Sequence, residues 1–313
     1  MMRRLWPLSV LAALWLAATT AVLSQETVIR VNVRLVRILA TVKNTAGQLV
    51  GTLEKGDFQV FDNGVSQELA IFEHHTEQPL SVALLVDTSA STGIELRYEL
   101  ESVRRFLAAL FREGNPEDAV ALYSFNYQVT RESSFTRRLD RLEQALKGLK
   151  NVGGTSLYDA IYLASGDLEE RQGRHVVVVV TDGGDTTSSK SFHQALEAAQ
   201  IADAVIYPIL VMPITNEPGR NIGGENALTT LAAGTAGRVF APTVGASLDA
   251  AFTDILRELR TQYLLAYYPK NLPYTKDRFH RLEVRVGRPD LQVLARTGYY
   301  GDAEEAKAWT PVR

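Results

Sequence analysis

Three short stretches of this sequence carry side chains that could do chemistry together. Asp87, Ser89 and Ser91 alternate in "VDTSAS", Thr155 follows two glycines in "NVGGTS", and Thr181 and Asp182 open "TDGGD". Asp87, Ser89, Ser91, Thr155 and Asp182 are all hard oxygen donors, with no histidine or cysteine among them. Such a set suits magnesium, manganese or calcium and disfavours zinc or copper. In a tight, extended loop alternate side chains can point the same way, so Asp87, Ser89 and Ser91 are expected to converge. Each of them alone is equally a preferred helix N-cap. It is the three stretches together that favour a cation. Asp185, a few residues on, reads as a loop or cap residue rather than a further acid of the site.

The elements that must position these residues are legible from hydrophobic period. "LSVALLVD" and "HVVVVVTDG" are apolar throughout, as strands covered on both faces are. "EDAVALYSFN", "VTRESSF", "VIYPILVM" and "RVFA" add further strands, and helix-period segments alternate with them, as in "ELRYELESVRRFLAALF" and "SLDAAFTDILRELRTQ". The expectation is a doubly wound, mostly parallel α/β sheet over residues 79–262. Sites in such sheets form beyond the carboxyl ends of the strands. Asp87, the loop of Thr155 and Asp182 should all open onto that edge.

Outside this span the period changes to two. Residues 27–43 alternate, and "DFQVFDNGVSQELAIF" sets two short strands around Asn63-Gly64, a strong hairpin signal. The tail offers "YLLAYYP", "RLEVRVG" and "LQVLARTGYY". An accessory antiparallel β module built from both termini, 25–78 with 263–304, is therefore expected, followed by a tail at 305–313. Tyr263, Tyr267, Tyr268, Tyr299 and Tyr300 read as packing residues of that module. The basic residues of "KDRFHRLEVRVGR" read as the solvated face of a strand.

Composition bounds the function. The chain has 313 residues, 46% hydrophobic and 22% charged, with formal net charge −3. It can build a core, and nothing global attracts nucleic acid or anionic lipid. The absence of cysteine excludes disulfides, thiolate zinc sites, a catalytic thiol and a lipid-bearing cysteine. Arg3 and Arg4 precede an apolar stretch that ends in "VLS" before Gln25, a secretory signal pattern over residues 1–24. An uncleaved membrane anchor is the alternative, since the stretch is almost long enough to span. Either way the rest of the chain is expected to be exported, in the periplasm, secreted or at the envelope.

"DTSAS", the later "GGT" and "TDG" after an apolar strand resemble the three pieces of the metal-ion-dependent adhesion site of von Willebrand factor type A domains, in order, spacing and context. The flanking "LEKGDFQVFDNGVSQELAIF", "QPLSVALLVDTSAS", "TQYLLAYYP" and "ARTGYY" resemble bacterial exported proteins described as von Willebrand factor A-related. The resemblance implies one antiparallel edge strand in the sheet and a single divalent ion, usually Mg²⁺. It implies direct ligation by Ser89 and Ser91, by Thr155 when ligand is bound, and waters or direct bonds held by Asp87 and Asp182. Neutral hydroxyl ligands leave the cation's charge incompletely offset, so a partner's Asp or Glu can complete the shell.

Three functions follow as expectations. The first is a non-enzymatic adhesion or protein-interaction module. The second is a scaffold or assembly subunit at the envelope. The third is a magnesium-dependent hydrolase, disfavoured because position 89 is Ser and neither a phosphate-cradling Gly-x-x-x-x-Gly-Lys loop nor a Gly-x-Ser-x-Gly nucleophile turn is present.

Overall fold

Two hydrophobic periods run through the chain, and they build two kinds of sheet. The computed structural model describes residues 35–74, 78–90, 96–211, 222–242, 246–273 and 278–301. Ser91, the expected leader at 1–24, the first residues of the expected N-terminal strand and the tail at 305–313 lie outside them. The described chain runs β1 (Val36–Asn44), β2 (Phe58–Asp62), β3 (Val65–Gln67), β4 (Leu69–Glu73), β5 (Leu80–Asp87), α1 (Leu96–Glu113), β6 (Ala119–Phe125) and β7 (Val129–Thr136). It continues through α2 (Leu139–Gly148), α3 (Leu157–Glu169), β8 (Arg174–Thr181), α4 (Phe192–Ile201), β9 (Ala204–Leu210), α5 (Ile222–Gly234) and α6 (Ala246–Thr261). β10 (Tyr263–Tyr267), β11 (Phe279–Val286), β12 (Leu291–Ala295) and β13 (Gly298–Tyr300) complete it.

The central sheet has the order β7-β6-β5-β8-β9. β5 pairs in parallel with β6 and β8, β8 pairs in parallel with β9, and β7 closes one edge antiparallel to β6. This is the doubly wound α/β sheet with one antiparallel edge strand. Every residue of β5 and β8 is buried, because each strand has a neighbour on both sides and helices over both faces. The strand period of two divides their side chains between two cores. Val82, Leu84 and Val86 pack in one with Phe106 and Leu107 of α1 and Phe252 and Ile255 of α6. Ala83 and Leu85 pack in the other with Ile161 and Leu168 of α3 and Leu228 of α5.

The accessory module has two antiparallel sheets, β12-β1-β10-β4 and β13-β11-β2-β3, so both ends of the described chain enter both sheets. Ile38, Val60, Tyr263, Leu265, Tyr267 and Tyr299 lie in their shared core. Three of the tail tyrosines are thus packing residues, while Tyr268 stays half exposed. Asn63 (φ 48°) and Gly64 (φ 81°) make the hairpin turn, and Asp62 pairs with Val65 across it. Arg281, Glu283 and Arg285 of β11 face solvent, as the alternation implies.

One expected strand is absent. "RVFA" makes only a single parallel bridge, Phe240 to Ile209. Phe240 N donates to Pro208 O and Leu210 N donates to Phe240 O, and two residues later Pro242 has no N–H with which to extend the ladder.

α6 leads directly into β10, and polar contacts tie the two parts where they join. Lys43 Nζ lies 2.6 Å from Glu258 Oε1, which Arg238 also binds at 2.5 Å. Gln262 Nε2 donates to Thr41 Oγ1 at 3.1 Å and to Tyr207 OH at 3.2 Å. Among the described residues no helix is long and apolar enough to cross a membrane.

Candidate metal site

Asp87 is the last residue of β5, aligned with Phe125 at the end of β6. Its carboxylate is fully buried. Thr181 Oγ1, at the end of β8, donates to Asp87 Oδ2 at 2.6 Å, and the Ser89 backbone N–H donates to Oδ1 at 2.8 Å. Burial pushes the Asp87 carboxyl from 3.8 up to about 6; the bonds from Thr181 and Ser89 oppose the rise, and the neighbouring Asp182 carboxylate adds to it. The Thr181 bond fixes the strand end from which Asp182 follows.

Hydrogen bonds stitch the three loops to one another. Thr88 N and Oγ1 both donate to Phe125 O, and Asn126 Nδ2 donates back to Thr88 Oγ1. Val152 N donates to Thr88 O and Ser156 N to Asn126 O, which docks the second loop on the first. Thr155 N donates to Thr186 Oγ1 at 2.9 Å, and Thr155 O accepts from Thr186 N and Thr187 N, which docks the third loop on the second. Ser89 is 2% exposed and Thr155 7%, while Asp182 is half-buried. Asp87, Ser89, Thr155 and Asp182 therefore stand on loops of one edge. Ser91 lies outside the described residues.

At the start of α3 the N-cap hydroxyl does not cap its own helix. Ser156, at the N-cap of α3, makes no capping bond and instead meets Thr187 Oγ1 at 2.9 Å. The capping comes from the third loop: Tyr158 N donates to Asp185 Oδ1 and Asp159 N to Ser188 Oγ. Asp185 is thus a cap residue, and the hydroxyl of Ser156 belongs to the stitching between loops. Sequence reading missed Thr181 as the donor that orients Asp87, and Asn126 and Thr186 as loop clamps. A hydroxyl ending a buried strand was the available signal for Thr181; the other two carried none.

Gly154 allows the second loop its path. Its φ is +86°, and a Cβ there would lie 2.9 Å from Tyr127 Cβ. Gly154→Ala is expected to cost about 1–2 kcal/mol from strain at positive φ. It should also displace Thr155, and urea unfolding measures the loss of stability.

The donors fit a divalent cation. Two buried hydroxyl-bearing residues and two mutually repelling carboxylates share an edge, and a positive charge between them would relieve both the burial and the repulsion of Asp87. Among the described residues no group of three or more His, Cys, Asp or Glu side chains could hold a metal. At this edge a cation would meet the hydroxyls of Ser89 and Thr155 beside the two acids, Asp87 and Asp182.

Residues 82–184, from the middle of β5 past Asp182, match the family model described as von Willebrand factor type A domain. This chain carries a von Willebrand factor type A domain. The match spans Asp87, Ser89, Ser91, Thr155 and Asp182. A search of curated proteins finds no match. Among solved structures, the domain is similar to the von Willebrand factor domain of the type V pili tip protein Mfa5 from Porphyromonas gingivalis, at 16% identity and TM-score 0.47, over 57% of this chain and 94% of that one. BatB from Bacteroides thetaiotaomicron is similar at 19% identity and TM-score 0.45, over 57% and 98%. The pilus adhesin SpaC from Lactobacillus rhamnosus GG is similar at 10% identity and TM-score 0.49, over 78% of this chain but only 47% of that one. Likenesses this distant carry no conclusion about partners.

Proposed function

We propose that this protein is an exported, non-enzymatic interaction module. Its A domain holds one divalent cation, Mg²⁺ ahead of Mn²⁺ or Ca²⁺, through Asp87, Ser89, Ser91, Thr155 and Asp182. The cation engages an Asp or Glu side chain of a protein partner at the cell envelope. The observation that carries this reading is the Asp87 carboxylate, buried at the strand end, clamped by Thr181 and Ser89 and bordered by Asp182 and the Thr155 loop. Hydroxyl ligands leave the cation electrophilic, so an acidic side chain is the complement it favours. Export rests on the leader pattern of the sequence, and the match of residues 82–184 to the A-domain family supports the interaction role.

The test is capture of envelope proteins on the immobilised protein in Mg²⁺ or in EDTA, with Thr155→Ala alongside. A partner retained in Mg²⁺, released by EDTA and retained at least about tenfold less by Thr155→Ala is the expected result; tenfold corresponds to about 1.4 kcal/mol. Capture indifferent to both EDTA and Thr155→Ala would refute the reading.

A further inference from the structure

At the opposite edge of the A-domain sheet, Arg174 begins β8 as a buried cation, 3% exposed. Its Nη1 donates to Leu259 O at 2.5 Å and its Nη2 to Gln262 Oε1, both neutral acceptors, and its Nε has no partner. Arg296, just after β12, is 8% exposed. It gives Nη1 to Asp203 Oδ1 and Nη2 to Arg37 O, each at 2.5 Å, and its Nε is also buried without a partner. Arg37, on β1, donates from Nη2 to Gln78 Oε1 at 2.7 Å. These three arginines line one small recess, about 30 Å³ in cavity volume, between β1 and β10 on one side and the starts of β8 and β9 on the other. Among the described residues Arg296 has a carboxylate partner there, Asp203, while Arg37 and Arg174 form no ion pair. The two are close enough for Arg37 to help depress the Arg174 pKa, behind the larger effect of burial.

A buried guanidinium beside a second one is costly unless an anion offsets it. Arginine is the side chain suited to oxyanions, because its N–H groups are fixed in a plane and stay charged. We infer that the recess between Arg37, Arg174 and Arg296 is a binding site for one small oxyanion, of the charge and size of inorganic phosphate. Arg174 and Arg296, from different sheets, each keep an enclosed Nε–H without a protein acceptor, and half-buried Arg37 has N–H groups beyond the one given to Gln78. A tetrahedral oxyanion can accept from several such donors at once. Arg37 and Arg296 belong to the β module and Arg174 to the A domain, so the bound anion clamps the two together. This site is independent of the Asp87 edge.

The experiment is titration of the full chain with sodium phosphate at constant ionic strength, with EDTA present throughout. Binding is read by calorimetry and by thermal unfolding, against sodium chloride as the control salt. One phosphate per chain and a Tm rise of roughly 4 °C or more at phosphate well above its Kd are expected. Arg37→Gln, on the half-buried rim, should weaken phosphate at least about tenfold, and Arg296→Gln should do the same. A wild type whose Tm does not respond, or responds equally to chloride, overturns the inference. So does an Arg37→Gln variant that binds phosphate like the wild type.

Discussion

Asp87→Asn is expected to remove Mg²⁺ binding and, in EDTA, to make the protein more stable at pH 7. The first effect follows from charge. Asn presents a single oxygen and no negative charge to a cation otherwise met by hydroxyls and Asp182. A loss of about 10- to 100-fold in affinity is the least expected even if Asp87 acts only through a coordinated water. The second effect follows from burial. The folded carboxyl, at about 6, holds its proton more tightly than the unfolded one, at 3.8. The stability this group contributes is full below about pH 4 and is lost as pH rises through about 6, because the folded state binds more protons across that window. The charged form therefore costs about 3 kcal/mol at pH 7 in the absence of a cation, from a shift of roughly two units at about 1.4 kcal/mol each. Asn avoids that cost and keeps the geometry. Its oxygen can accept from Ser89 N, while the Thr181 hydroxyl can accept from the Asn amide and turn its own proton to Gly183 O, 3.4 Å away. A net gain of about 1–3 kcal/mol in urea unfolding at pH 7 is expected, shrinking toward zero near pH 4. Calorimetric Mg²⁺ titration of the variant measures the first effect, and a variant that binds like the wild type would remove Asp87 from the site. Wild-type stability in EDTA that is unchanged between pH 4 and 7 would contradict the second.

Asp62→Ala should be the most damaging single change in the β module. Asp62 ends β2, fully buried, and accepts from Tyr267 OH of β10 at 2.6 Å and from Tyr299 OH of β13 at 2.8 Å. Its other oxygen lies 3.1 Å from His280 Nδ1 of β11, whose ring stacks on Tyr299 at 4.7 Å. Burial, with the bonds to Asp62 adding to it, holds both tyrosine hydroxyls well above their usual pKa, so they act as neutral donors. Removing the acceptor strands two buried hydroxyls at about 1–3 kcal/mol each. The expected loss is about 3–5 kcal/mol, read by urea unfolding. Asp62→Asn retains one acceptor oxygen and should lose less, about 1–2 kcal/mol. Because β10 lies in one sheet and β2, β11 and β13 in the other, the same carboxylate joins both sheets and both ends of the described chain. An Asp62→Ala variant within about 0.5 kcal/mol of wild type would show that the strands pair without it.

Much of this architecture is readable from local order. The apolar runs ending at Asp87 and Thr181 announce strands buried on both faces, since only such strands need no polar side. Asn63-Gly64 announces its hairpin because both residues adopt positive φ there. "RVFA" misled because a short apolar run reads as a strand whether or not a neighbour exists to extend its ladder. Asp185 could be assigned to capping by residue type, but not to the helix it caps, which begins 28 residues earlier in the chain at Leu157.

What the sequence by itself determined is which residues can bear the chemistry and at which strand ends they stand, because strand period and donor type are local properties. What only the tertiary structure decided is how they are held. Thr181 orients Asp87 across 94 positions, and the Thr155 loop is tied to Thr88 on one side and to Thr186 and Thr187 on the other. The clustering of Arg37, Arg174 and Arg296 is likewise invisible in one dimension, for they are scattered between ordinary strand positions. Burial, pKa and pairing are set by neighbours distant in sequence, and the parallel sheet brings those neighbours together only when the whole of it has formed.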